Sequence, residues 1–284
     1  MQRIDSQSAG RKGLAMKVLA WIVHARRALS ATELQVAVAI RPGDEELNEK
    51  HLTEIEDLVS DCAGLVTIDD ESNVVRLVHF TTQDYFERTR ATWFPDAEAR
   101  IVETCTTCLS FDVLGSDSGS VEYDSNVDDN QNENHHALPF YIYAAEFWVE
   151  HARESGADPI QSAVEVLEDA PKVRKWFRCL SKRKGSSYGF NYTLAEDKEV
   201  LHLLAYRGVA RYVTFLINRF GDPDPLDHWG QTPLSIVAEQ GHISTAETLL
   251  SYGADPNHND YMRGTPLMAA AKGGHEGAIE LLLS

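Results

Sequence analysis

The chain has 284 residues, with 26 Lys+Arg against 44 Asp+Glu, a formal charge of −18, and 43% hydrophobic residues. That apolar fraction over that length supports about two domains with buried cores and excludes a mostly disordered chain. The negative charge repels phosphate backbones, which argues against general nucleic-acid binding.

From the N-terminus, Leu14, Val18, Trp21, Ile22 and Ala25 follow helical spacing and predict an amphipathic first helix. The same stretch, Leu14–Val23, is interrupted by Lys17. It falls well short of the ~20 apolar residues that span a bilayer, so neither a membrane role nor secretion is expected. Ser30-Ala31-Thr32-Glu33 has the form of a capping box and predicts a second helix through Leu34 and Val38. Leu52, Ile55, Leu58, Val59 and Cys62 predict a third helix, stopped at Gly64. Leu65–Ile68 and Val74–Val78 then flank Asp69–Asn73 as a β-hairpin. This is the order of a winged helix-turn-helix, whose third helix would enter the major groove of DNA. From Asp44 to Asp61, however, that segment holds Asp44, Glu45, Glu46, Glu49, Glu54, Glu56, Asp57 and Asp61 against Lys50 alone, so no DNA contact is expected from it.

Cys62-Ala63-Gly64-Leu65-Val66, the run Val75–Phe86 with His79-Phe80-Thr81-Thr82-Gln83-Asp84 at its centre, Trp93-Phe94-Pro95, Cys108-Leu109-Ser110-Phe111 and Pro139-Phe140-Tyr141 with Tyr143-Ala144-Ala145 carry a resemblance. The region 14–153 resembles the winged-helix part of fungal NACHT–ankyrin proteins, STAND-type relatives of the NOD-like receptors. The resemblance implies a multidomain signalling NTPase and a histidine at the end of the hairpin that meets the nucleotide phosphate. His79 stands at the matching position and would be a nucleotide-sensing candidate in a full-length receptor. Strand alternation places Val75, Leu77 and His79 on one face, half-buried. With no NTPase, a structural histidine satisfied by the following helix cap, from Thr81 or Thr82, is the stronger reading. A phosphate-binding loop must end in Gly-Lys-Ser or Gly-Lys-Thr, and neither occurs in the sequence; Lys184-Gly185-Ser186 has the order reversed. The chain is therefore expected to be either a piece from downstream of an NTPase or a short relative without one, and no cofactor is expected.

Cys105-Thr106-Thr107-Cys108 has redox or zinc spacing, but Ile101, Cys105, Cys108 and Leu109 form one helical apolar stripe, so the thiols are expected in the core. The four cysteines, Cys62, Cys105, Cys108 and Cys179, are too few for a disulfide scaffold and point to a reducing, cytoplasmic setting. Residues 115–136 are poor in apolar groups and hold Asp117, Glu122, Asp124, Asp128, Asp129 and Glu133, the composition of a disordered acidic loop. It lacks the glycine and the closing glutamate of a calcium loop, and His135-His136 has no partner at fixed spacing, so no metal is expected. The basic segment 172–184, from Lys172 to Lys184, is either a nuclear localisation signal or, as the stronger reading, the solvated face of a helix that buries Val173, Trp176, Phe177 and Leu180.

The C-terminal third repeats every 33 residues: Thr232-Pro233-Leu234 returns as Thr265-Pro266-Leu267, Gly241-His242 as Gly274-His275, and Leu249-Leu250 as Leu282-Leu283. One step earlier come Leu201-His202-Leu203-Leu204-Ala205, Gly208 and Leu216-Ile217. These residues resemble the ankyrin repeat, with Glu199-Val200 in place of Thr-Pro in the first unit. In the second and third units Thr caps the inner helix and Pro occupies its first turn, and in all three a Gly ends it. No polar capping repeat follows Leu281-Leu282-Leu283, which predicts a truncated stack open to self-association.

The expected fold is mainly α: a winged helix-turn-helix with a small β-hairpin (11–90), a helical connector holding the acidic loop (91–198), and an ankyrin-repeat solenoid of three repeats (199–284). The expected function is a non-catalytic protein–protein interaction module, with Tyr206, Arg207, Trp229, Glu239, Gln240, Tyr261, Met262 and Lys272 on the partner surface. The alternative is a regulatory C-terminal part of a NOD-like receptor NTPase that controls nucleotide state through its winged helix.

Overall fold

The computed structural model describes residues 2–112, 138–181 and 199–284. The expected acidic loop and the end of the basic segment, from Lys182 onward, lie outside these residues. The chain divides into two compact units, Met1–Trp148 and Val149–Ser284.

In the first unit, α1 (Gln2–Asp5) leads into α2 (Ala9–His24), followed by α3 (Ala31–Ala39), a 3-10 turn at Glu49–His51, and α4 (Ile55–Asp61). The antiparallel hairpin β1 (Val66–Asp69) and β2 (Val74–Leu77) comes next, then α5 (Phe80–Trp93), α6 (Ala97–Ser110) and the start of α7 (Leu138–Ser155). The α2 stripe differs from its expectation. Ala15, Val18, Leu19 and Trp21 are buried, whereas Leu14, Ile22 and Ala25 are only half-buried. α2 is the hub of this unit, touching α1, α3, α4, α5, α6 and β2, so it has no single core-facing stripe.

The capping box of α3 is present: Ser30 Oγ accepts the Glu33 N–H at 3.2 Å, and Glu33 Oε2 accepts the Ser30 N–H at 2.9 Å. The third helix is shorter than expected. Leu52 only caps the 3-10 turn, and α4 begins at Ile55. Ala63 and Gly64, with φ of 53° and 83°, turn the chain out of α4 into the hairpin. Val66 pairs with Leu77 and Asp69 with Val74, while Ser30 bridges Val74 from the other side. That ladder ties the start of α3 to the wing, giving the winged-helix order. Phe140 and Tyr143 of α7 pack edge-on against Trp21, with ring centroids 5.4 and 5.9 Å away.

The second unit holds the last turns of α7, then α8 (Gln161–Glu168) and α9 (Ala170–Ser181). In α9, Val173, Trp176, Phe177 and Leu180 are buried, as their spacing predicts. Three helix pairs follow: α10 (Glu199–Arg207) with α11 (Ala210–Phe220), α12 (Pro233–Gln240) with α13 (Ile243–Ser251), and α14 (Pro266–Gly273) with α15 (Glu276–Leu283). Inner helices α10, α12 and α14 stack in one row and α11, α13 and α15 in another. Thr232 Oγ1 accepts the Ser235 N–H and Thr265 Oγ1 the Met268 N–H, with Pro in the first turn of each helix. Adjacent repeats are also pinned through histidine: His242 Nε2 donates to the Tyr206 carbonyl at 3.0 Å, across 36 residues of sequence.

Candidate functional site

The hairpin-like connections between repeats are built by two aspartates. Asp227 Oδ1 accepts the N–H groups of Trp229 and Gln231, both at 2.8 Å. One repeat later, Asp260 Oδ1 accepts those of Met262 at 2.8 Å and Gly264 at 2.7 Å. Each carboxylate thereby shapes a tight turn. The Tyr261 N–H donates to the Trp229 carbonyl at 3.1 Å, joining neighbouring tips. His202 and His258 brace the same turn, donating to the carbonyls of Gln231 and Gly230 at 3.0 Å each. Gly230, at φ 74°, lets the Tyr261 ring lie against its backbone, where a Cβ would stand 2.6 Å from a ring carbon.

These turns hold large apolar groups in solvent. Trp229 is 55% exposed, Tyr261 71% and Met262 86%. Trp229 has His228 beside it, ring centroids 4.7 Å apart. Behind the tips, Tyr206, Glu239 and Gln240 are half-buried and Lys272 is exposed. Lys272 Nζ bonds Glu239 Oε1 at 2.7 Å, so part of this surface is already paired within the protein.

Residues 177–260 and 201–284 match the family model of ankyrin repeats in three copies. Residues 1–94 match a model described as the winged helix domain of GPI inositol-deacylase, a domain type associated with NACHT proteins. No curated protein matches the chain. The protein therefore has a mainly helical fold with a winged helix domain and ankyrin repeats.

Two expectations are corrected. Arg207 does not belong to the exposed surface of the ankyrin unit: it is 8% exposed, its guanidinium is bonded to Glu150, and its carbonyl accepts from Arg153. It lies at the end of α10 turned toward α7, so its role there is internal. His79 is exposed rather than half-buried, because β2 ends at Leu77 and the strand alternation stops before it. It is itself the N-cap of α5: Nδ1 accepts the Thr81 N–H at 3.2 Å and bonds Thr81 Oγ1 at 2.8 Å. The helix thus starts at Phe80, one residue before the threonine cap expected from sequence.

Cys105 and Cys108 are buried in α6, and burial pushes the Cys105 thiol well above its ordinary pKa, which keeps it neutral and unreactive. Cys62, likewise buried and beside Asp61, is pushed up to about 12. Among the described residues no three His, Cys, Asp or Glu stand together in a way that could hold a metal. The residues that sequence reasoning missed are Asp227 and Asp260. Their signal was present: they stand at the repeat spacing, each five residues before a capping threonine.

In the third repeat Ala271 and Met268 are exposed, whereas Ala238 and Ser235 at the same positions of the preceding repeat are buried. A following repeat covers this face in the interior of the stack.

Proposed function

We propose that the protein is a non-catalytic interaction module whose ankyrin unit grips a protein partner through the hairpin tips and the inner helices. The observation that carries this reading is the row of exposed Trp229, Tyr261 and Met262 on turns locked by Asp227 and Asp260. Rigidly held aromatic side chains lose little entropy on binding and supply the anchor residues of interfaces. Tyr206, Glu239, Gln240 and Lys272 form the polar surround.

A double Trp229→Ala, Tyr261→Ala variant tests the reading. Unchanged melting temperature with lost capture of cellular partners is the expected result. A large fall in melting temperature with capture retained in the cold would show that the tips serve the fold instead.

The second reading, the regulatory part of a NOD-like receptor NTPase, is favoured by the exposed position of His79 at the N-terminus of α5, open to a phosphate from another domain. It is tested in a chain that carries the NTPase domain: His79→Ala would then weaken ADP retention. In either reading the protein works in the cytoplasm, with the basic face of α9 as a candidate for nuclear import.

A further inference from the structure

Between α2, the end of α3 and the corner joining α5 to α6 lies a cleft of about 150 Å³. Its lining is mostly apolar, with Ala20, Trp21, Ala37, Ile40, Phe94 and Ile101 among its walls. An apolar cavity of this size takes up one benzene ring.

The rim is cationic. Lys17 and Arg100 line it, and Arg41 stands close enough to act on Lys17 electrostatically. Partial burial, and then the like charges of Arg41 and Arg100, hold the Lys17 ammonium below its ordinary pKa. Among the described residues Lys17 and Arg41 form no side-chain ion pair; Asp44 takes the backbone N–H of Arg41. Asp96, the acidic group lining the cleft, lies 3.9 Å from Arg100 with both side chains largely exposed. That pair contributes little. In a chain of net charge −18, two cations on the rim of an apolar hollow, with Arg41 near Lys17, make it a favourable place for acidic groups.

We propose that this cleft docks an acidic peptide segment of a protein partner, which inserts one aromatic or leucine side chain beside Trp21, Phe94 and Ile101 and lays flanking carboxylates against Lys17, Arg41 and Arg100. The hollow accepts one anchor. The cations come from three separate elements, so they match several carboxylates spread along a peptide better than the single headgroup of an anionic lipid. A buried apolar anchor inside a charged rim is the layout of an interface hot spot. The site lies wholly within residues 1–148.

The test uses the whole chain and short fluorescent peptides of alternating Glu and Asp with Phe, Trp, Leu or Ala at the centre, titrated by anisotropy at low and moderate salt. Saturable binding of a Phe, Trp or Leu peptide is expected at low salt. It should weaken about tenfold or more with Ala at the centre and by a similar factor in a Lys17→Ala, Arg100→Ala variant, and salt should weaken it further. Both substituted side chains are exposed, so the variant should keep its melting temperature. The proposal is overturned if no anchored peptide saturates, if the Ala peptide binds as well, or if the double variant binds unchanged. Capture of phosphatidylserine vesicles without peptide binding overturns it in favour of a lipid surface.

Discussion

Removing the Arg207 guanidinium strands the Glu150 carboxylate, whose side chain is only 21% exposed. Arg207→Met is expected to lower stability by about 3 kcal/mol, and a Glu150→Leu, Arg207→Met double variant to recover most of the loss, since two apolar groups no longer leave a charge unpaired. Thermal unfolding of the single and double variants checks this. Gly241 and Gly253 separate two penalties. Both have positive φ, but a Cβ at Gly253 meets open space, whereas one at Gly241 would stand 2.4 Å from the His275 ring. Gly253→Ala should cost about 1–2 kcal/mol from the left-handed backbone alone, and Gly241→Ala clearly more, measured by urea unfolding. His242 supplies a pH signature. Burial lowers its pKa most, the bond to the Tyr206 carbonyl opposes this, and the charges of Arg153 and His275 add to the lowering. The unfolded chain, with a histidine pKa of about 6.5, binds the proton more readily than the folded one. Stability is therefore full above that value and is lost as pH falls through the lower folded pKa. Melting temperature should drop as pH is taken from about 7 toward 5, and His242→Gln should flatten the slope.

The capping elements are the most local part of the design. Thr232 is buried, and its Oγ1 bonds both the Ser235 N–H and the Ser235 hydroxyl, at 3.3 and 3.2 Å. Thr232→Ala is expected to cost about 1–2 kcal/mol, with the loss confined to the ankyrin unit in hydrogen exchange. In α3 the cap is reinforced from outside. Arg27 clamps both oxygens of Glu33 at 2.8 and 2.6 Å and lies over the Tyr143 ring, 5.2 Å from its centroid. Burial raises the Glu33 pKa, but the bonds from Arg27 and Ser30 outweigh it and leave the carboxyl below its ordinary value. The capping box and the Thr-Pro starts were legible because they rest on side chains three residues apart in sequence. The break between the 3-10 turn and α4 was not, because Leu52 and Ile55 keep helical spacing across a segment whose backbone does not.

At the scale of the whole chain, two units with separate cores should unfold separately. Scanning calorimetry is expected to show two transitions, with Arg207→Met lowering one and Leu34→Ala, which empties a fully buried site in the first unit, lowering the other by several degrees. A single transition moved equally by both variants would contradict this. Titration with ATP, ADP and GTP should give no saturable heat, because the sequence contains no Gly-Lys-Ser or Gly-Lys-Thr and carries a charge of −18.

The sequence by itself determined the repeat period, the caps of α3, α12 and α14, the wing and the buried thiols of α6, since each depends on contacts between residues near in the chain or on a pattern repeated along it. Asp227 and Asp260 were within its reach by the same periodicity. Tertiary structure decided which polar residues stay at the surface: Arg207 and Trp229 looked alike as partner-binding candidates, yet Glu150, 57 positions away, draws one inward and leaves the other in solvent. It also placed Lys17 and Arg100 on the rim of one hollow and brought Arg41 near Lys17. Their spacing along the chain follows no helical or strand period, and only the packing of α2 against α3 and α6 makes them neighbours.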